Sequence, residues 1–292
     1  MTLRAEWQSW DTHVHVFNPP SADVEYIPDA PYSPGVYTVE DLRVASPANH
    51  HMIVMALPEG DNPANLLQSL SRSRPDAQLR GTVVLRDIKA LDLDTAKDWH
   101  ARGVRCIRWS NLRRVSNPSQ SVDEVQMAAC WLQDAAKHLA KLDLAWCLSL
   151  QLAPESWAAL DSTLRDLRRQ HKTVFISDHL FTLRFSDYGS PTHKVLLDLV
   201  ADGIVHVKIS ALTRRADSAK GLDSMGPIVQ DFLRARDGHG VLWGSDWPHV
   251  NVNGGAFDNV DLKGVVQSVW AWAGTDQVRR RIWCDNPGNL FN

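Results

Sequence analysis

Trp10-Asp11-Thr12-His13-Val14-His15-Val16-Phe17 is the first of eight short apolar runs, and it decides how the rest of the chain is read. The others are 51–57, 81–85, 104–109, 144–150, 173–177, 205–209 and 241–244. They are rich in Val and Ile and are continuous rather than alternating. Parallel strands buried on both faces have that pattern. Helical patterns lie between them. In 122–142, Val125, Ala128, Ala129, Leu132, Ala136, Leu139 and Ala140 recur at helical spacing with polar residues between. The segment 154–170 opens with Pro then Glu, a good helix start. Similar patterns cover 193–201, 224–236 and 262–273, and 275–282 reads as a short last helix with Thr275 as its N-cap. The Pro-, Gly- and Tyr-rich stretch 18–35 reads as one long loop.

Eight strands alternating with helices predict an α/β protein built as a (β/α)8 TIM barrel, one domain over residues 1–292. An open doubly wound sheet is the competitor. No GxGxxG or GxxxxGK[ST] sequence follows the first run, which weakens its nucleotide-binding form.

The bulk numbers bound the function. A length of 292 residues suits a fold that typically takes about 250 residues. A net charge of −3 gives no basic field for nucleic acid or an anionic membrane. Four scattered cysteines without a CxxC pair read as reduced residues of a cytoplasmic protein. The first eight residues lack an apolar signal core, and no run approaches a membrane span. Twelve tryptophans fit a well-packed core with some aromatic pocket lining. The expected partner is a small molecule, with the chain a monomer or small homo-oligomer.

In such barrels the site lies at the carboxyl ends of the strands. Run one carries His13 and His15, two residues apart, so both aim to the same side. Run six is followed by Asp178-His179, and run eight by Ser245-Asp246-Trp247-Pro248-His249. A lone strand histidine is usually a satisfied core residue, and Asp246 alone could be a turn residue before Pro248. Three histidines and a carboxylate on one rim point instead to a carbonyl-activating or metal-binding centre.

HxH on strand one, DH on strand six, Lys208-Ile209-Ser210 on strand seven and GSDWPH on strand eight resemble the amidohydrolase superfamily. The similarity is greater to its branch of lactone hydrolases of the 2-pyrone-4,6-dicarboxylate type. It runs from about Trp10 to Asn292, including the closing Asn286-Pro287-x-x-Leu290-Phe291. The resemblance implies that Asp246 is a general base and that His13, His15 and His179 polarise a lactone carbonyl. It also implies that arginines hold a substrate carboxylate, the task to which a planar guanidinium is suited. Arg105 matches one such arginine. A second falls among Arg108, Arg113 and Arg114, with Arg113 or Arg114 preferred, and Arg214 follows Lys208 at the family's spacing. Tyr26 and Tyr37 in the first loop, Gln151, Trp247 and His249 complete the expected pocket.

Binuclear relatives add a lysine or glutamate on strand four and a histidine on strand five. Here those strands offer Arg105 and, near Ser149, Gln151, so a two-metal centre is not expected. The expectation is that no metal is strictly required. A single Zn²⁺ or Mn²⁺ on His13, His15, His179 and Asp246 stays open. The expected activity is hydrolysis of a carboxylated lactone. A metal-dependent decarboxylase or C–C hydrolase, a lactone isomerase and a non-catalytic anion-binding barrel are the alternatives.

Overall fold

A computed structural model describes residues 7–28, 30, 32–109, 121–251, 256–257 and 259–292. Eight parallel strands pair in chain order: β1 (Trp10–Val14), β2 (His50–Val54), β3 (Leu79–Val84), β4 (Val104–Trp109), β5 (Cys147–Leu150), β6 (Val174–Ser177), β7 (Val205–Ile209) and β8 (Val241–Trp243). The ring closes where the segment after β8 meets β1. His15 N donates to Trp247 O at 2.8 Å, Asp246 N to His13 O at 2.8 Å and Thr12 Oγ1 to Trp243 O at 2.8 Å. This is the expected (β/α)8 barrel, and each of the eight sequence runs overlaps a strand.

The helices are α1 (Val39–Ala45), α2 (Ala64–Leu70), α3 (Leu93–Ala101), α4 (Ser121–Lys141), α5 (Pro154–Ala159), α6 (Asp161–His171), α7 (Pro191–Ala201), α8 (Gly226–Ala235), α9 (Leu262–Trp272), α10 (Asp276–Arg280) and α11 (Asn286–Phe291). The single helix expected over 154–170 is two, with Leu160 buried at the break. Thr275 caps α10 as expected, its side chain accepting from Val278 N. No helix of the described residues is long and apolar enough to cross a membrane.

Two apolar layers result. The larger packs the outer strand faces against the helices. The smaller fills the barrel with Trp10, Met52, Val54, Cys106, Cys147, Ile176 and Leu242, and Phe291 of α11 joins it with its ring 5.8 Å from Trp10. All four cysteines are free; Cys106 and Cys147 are buried, whereas Cys130 is exposed on α4.

One irregularity of β1 positions the site. Asp11 pairs with His51 but Val14 pairs with Ile53, so three steps on β1 oppose two on β2. Such an extra residue is a bulge, and it reverses the alternation of side chains beyond it. Trp10 can therefore point into the apolar interior while His13 and His15 turn to the polar upper end.

Candidate active site

The carboxylate of Asp246 is the focus of the upper end. Its Oδ1 lies 3.5 Å from His15 Nε2, 3.7 Å from His13 Nε2 and 3.9 Å from His179 Nε2. Its Oδ2 lies 2.7 Å from an Arg214 nitrogen. The structure thus brings together His13, His15, His179, Asp246 and Arg214, as the strand-end positions imply.

Local backbone makes this convergence possible. Gly244 precedes Asp246, and a Cβ on it would sit 2.7 Å from His13 Cβ and 2.9 Å from His13 N. Only glycine lets the chain after β8 lie this close to β1. Asp246 adopts φ of +64° and His249 +67°, and the Trp247–Pro248 peptide is cis. His249 N closes this turn by donating to Asp246 O at 2.8 Å. After β6, His179, Leu180, Phe181 and Thr182 all have φ between 53° and 56°. A left-handed backbone costs about 1–2 kcal/mol per non-glycine residue. Buried Leu180 and Phe181 offset that cost, the latter ring packing on Trp157 and Phe232 at 5.2 and 5.6 Å.

Each imidazole is held from behind. His15 Nδ1 meets the Val54 carbonyl at 2.8 Å, His179 Nδ1 meets Ser210 Oγ at 2.9 Å, and His13 Nδ1 lies 3.3 Å from Asp178 Oδ1. Asp178 is wholly buried and also takes Arg108 Nε at 2.9 Å, Ser149 Oγ at 3.0 Å and Lys208 Nζ at 3.1 Å.

Burial dominates the electrostatics. It lowers His13 to about 4, Asp178 opposing and Lys208 assisting, and it lowers His179 well below the usual imidazole range. Burial also opposes ionisation of Asp246. His179, a hydrogen bond from His15, and Arg214 outweigh it and hold that carboxyl well below its ordinary value. The centre therefore pairs neutral His13 and His179 with an ionised Asp246 carboxylate near neutral pH.

A cavity of about 80 Å³ opens above the centre, lined by His15, Tyr32, Ala56, Leu57, Arg108, Gln151, His179, Arg214 and Asp246. Arg108 crosses its floor, its Nη2 donating to Gln151 Oε1 at 2.8 Å and its Nε to Asp178.

Several expected pocket residues sit elsewhere. Arg105 is corrected to a packing residue: its Nη1 donates to the His100 and Val104 carbonyls, at 2.8 Å each, against α3. Alternation along β4 explains this, since Cys106 and Arg108 face inward and Arg105 must face out. The Tyr26 hydroxyl donates to the Asn18 carbonyl at 2.8 Å and is not at the cavity. Tyr37 and Trp247 pack edge to face at 5.5 Å behind the turn, and with His249 they lie outside the lining. Arg113 and Arg114 lie outside the described residues. Arg108 and Tyr32 take the places expected of Arg105 and Tyr26. The clue to Arg108 was its even spacing from the apolar Cys106. Tyr32 had no comparable signal, because loop residues have no period.

The donor set can be tested against a metal. His13, His15 and Asp246 bring ligand atoms within 4.8 Å of one another. His13 Nε2 is buried and has no hydrogen-bond partner among the described residues. Two imidazoles and a carboxylate suit one divalent ion such as Zn²⁺ or Mn²⁺, with His179 beside them. β4, β5 and the residue that follows β5 add Arg108, Ser149 and Gln151, which do not extend the set to a second ion.

A model of the family described as amidohydrolase matches residues 10–292. The 4-sulfomuconolactone hydrolase of Rhizobium radiobacter is 26% identical over 288 residues, covering 97% of this chain and 89% of the relative. The L-fucono-1,5-lactonase of Burkholderia ambifaria is 27% identical over 245 residues, 82% of this chain and 79% of the relative. A solved structure from Acinetobacter baumannii, described as a probable 2-pyrone-4,6-dicarboxylic acid hydrolase with citric acid bound, shares the fold. Its TM-score is 0.74 at 20% identity, over 97% of this chain and 99% of that one. From the match over residues 10–292, the chain belongs to the amidohydrolase family.

Proposed function

We propose that this protein hydrolyses a lactone that carries a carboxylate or similar anion, with Asp246 as general base. The observation that carries the reading is one ionised carboxylate facing three imidazoles, in a cavity that two arginines also line. The two relatives named as lactone hydrolases support the reaction class.

Asp246 takes a proton from water, and the water oxygen bonds to the ring carbonyl carbon. His13, His15 and His179 surround the position where negative charge develops on the carbonyl oxygen, and a proton on any facing nitrogen stabilises it. The acyl C–O bond of the ring then breaks, and Asp246 returns its proton to the leaving oxygen. The net change is addition of one water. Arg108 and Arg214 hold the substrate anion and so orient the ring. A single divalent ion on His13, His15 and Asp246 would, when bound, supply Lewis-acid polarisation of the carbonyl.

The test is a panel of carboxylated lactones (pyrone dicarboxylates, muconolactones, sugar-acid lactones), each with Zn²⁺ and with chelator. The expected product is heavier by one water. Asp246→Asn is expected to lower kcat about 10²-fold or more with the fold intact. Full activity in that variant, or turnover without gain of water, overturns the reading.

A further inference from the structure

The cavity over Asp246 has two unlike sides. The ends of β4, β5 and β7 bring Arg108, Gln151 and Arg214 to it, while the segment after β2 brings Ala56 and Leu57. Gln151 Oε1 accepts from Arg108 Nη2 at 2.8 Å. A guanidinium only donates, so the amide must turn this way round, and its Nε2 is left to donate into the cavity. One side therefore offers donors and positive charge, which suit the oxygens of an anion.

The other side offers hydrocarbon. Ala56 is buried and packs with Phe17 and Tyr32, and Leu57 joins them. The backbone there is already committed. Ala56 N donates to buried Glu59 Oε2 at 2.6 Å, Ala56 O accepts from Glu59 N at 3.1 Å, and Leu57 O accepts from Gly60 N at 3.2 Å. Pro58 has no N–H, and its carbonyl accepts from Ile27 N at 2.7 Å. A hydroxyl pressed against Ala56 and Leu57 would lose its water and find no partner among these groups, which is costly. Tyr32, which packs with Ala56, carries the one hydroxyl of the described lining.

We infer that the site takes a lactone whose ring carbons away from the anion carry hydrogens rather than hydroxyls, and that Leu57 sets this preference. The inference rests on the lactone-hydrolase reading and narrows its substrate class. The ring carbonyl lies at His13, His15 and His179, and the anion at Gln151 and the two arginines. The remaining ring edge is then left to Ala56 and Leu57. A hydrocarbon wall discriminates against an added hydroxyl by about 10²-fold. A carboxyalkyl lactone with a bare ring fits this cavity, and a polyhydroxylated sugar-acid lactone does not.

The experiment compares two saturated five-membered lactones that share one carbon skeleton and one carboxylate. γ-Carboxymethyl-γ-butyrolactone has a bare ring, and glucaro-1,4-lactone is hydroxylated. For each, kcat/KM is divided by the rate of opening in hydroxide alone, and Kd is measured by calorimetry. The full-length protein is expected to favour the bare ring about 10²-fold. Equal or reversed preference, or binding of neither probe, overturns the inference. Leu57→Asn, polar and close in size, is expected to cut the preference about 10-fold or more. An unchanged preference in that variant overturns the role of Leu57. Should the variant fail to fold, Ala56→Ser is read in the same way for the wall. Tighter binding of the bare ring by a protein that opens no lactone rejects the hydrolase reading alone. Lactone opening without the preference rejects only this inference.

Discussion

Arg214 reaches within 2.7 Å of Asp246 Oδ2, on the side of the carboxylate away from the three imidazoles. Its side chain is 30% exposed whereas that of Asp246 is 3% exposed. Arg214 is therefore a cation that an incoming anion meets at the mouth, directly beside the proposed base. Arg214→Gln is expected to raise KM for a carboxylated lactone about 10-fold or more, given about 1.5–3 kcal/mol for a charged hydrogen bond. A neutral lactone of the same ring size should show a much smaller rise. Equal changes for the two substrates count against a role in anion binding.

Arg108 and Arg105 give a paired comparison on one strand. Arg108 is buried at the cavity and paired with Asp178, while Arg105 packs against α3. Removing one partner of a buried charge pair costs about 2–5 kcal/mol. Arg108→Ala should therefore lower kcat/KM about 30-fold or more. Arg105→Ala should leave kcat/KM within about 2-fold, because nothing in the cavity touches it. Steady-state kinetics on both variants checks this, and the reverse order would restore Arg105 to the site.

Gly244 is predicted to tolerate no side chain. A Cβ there would meet His13 Cβ at 2.7 Å and His13 N at 2.9 Å, and neither atom can move without shifting β1. Gly244→Ala should destabilise the fold by about 1–3 kcal/mol and displace His13. Urea unfolding measures the first effect and kcat the second. A variant with wild-type stability would mean that the strands separate freely here.

Glu59 gives a pH signature independent of the catalytic centre. Burial raises its carboxyl from 4.5 to about 7, against hydrogen bonds from Ala56 N at 2.6 Å and Asn65 Nδ2 at 2.9 Å. The folded chain thus keeps a proton that the unfolded chain has released. The stabilising contribution is complete below about 4.5 and is lost as pH rises through about 7. Glu59→Gln should flatten the decline in stability across that window, even if it lowers the starting value. Asp11, raised by burial from 3.8 to about 6, leaves a shallower residual slope. Urea midpoints against pH decide it: a constant difference between the two proteins across the window removes Glu59 as the cause.

The sequence by itself determined the barrel and the identity of its central residues. Continuous Val- and Ile-rich runs bounded by turn residues read as strands covered on both faces, and eight of them with helices between favoured a closed ring over an open doubly wound sheet. His13, His15, His179 and Asp246 were legible because a strand end fixes where a side chain goes. Arg105 was misplaced because alternation on β4 follows the inward Cys106, which a motif match does not see. The first-loop tyrosines were not separable by sequence, since Tyr32 and Tyr26 share a segment without periodicity. Tertiary structure alone decided the bulge that turns Trp10 inward below His13, the cavity of Arg108 and Tyr32, and the meeting of Asp178, Lys208 and His13. Those contacts join residues up to 195 positions apart. Local pattern carries no information about such distances; only closing the ring brings the strands together.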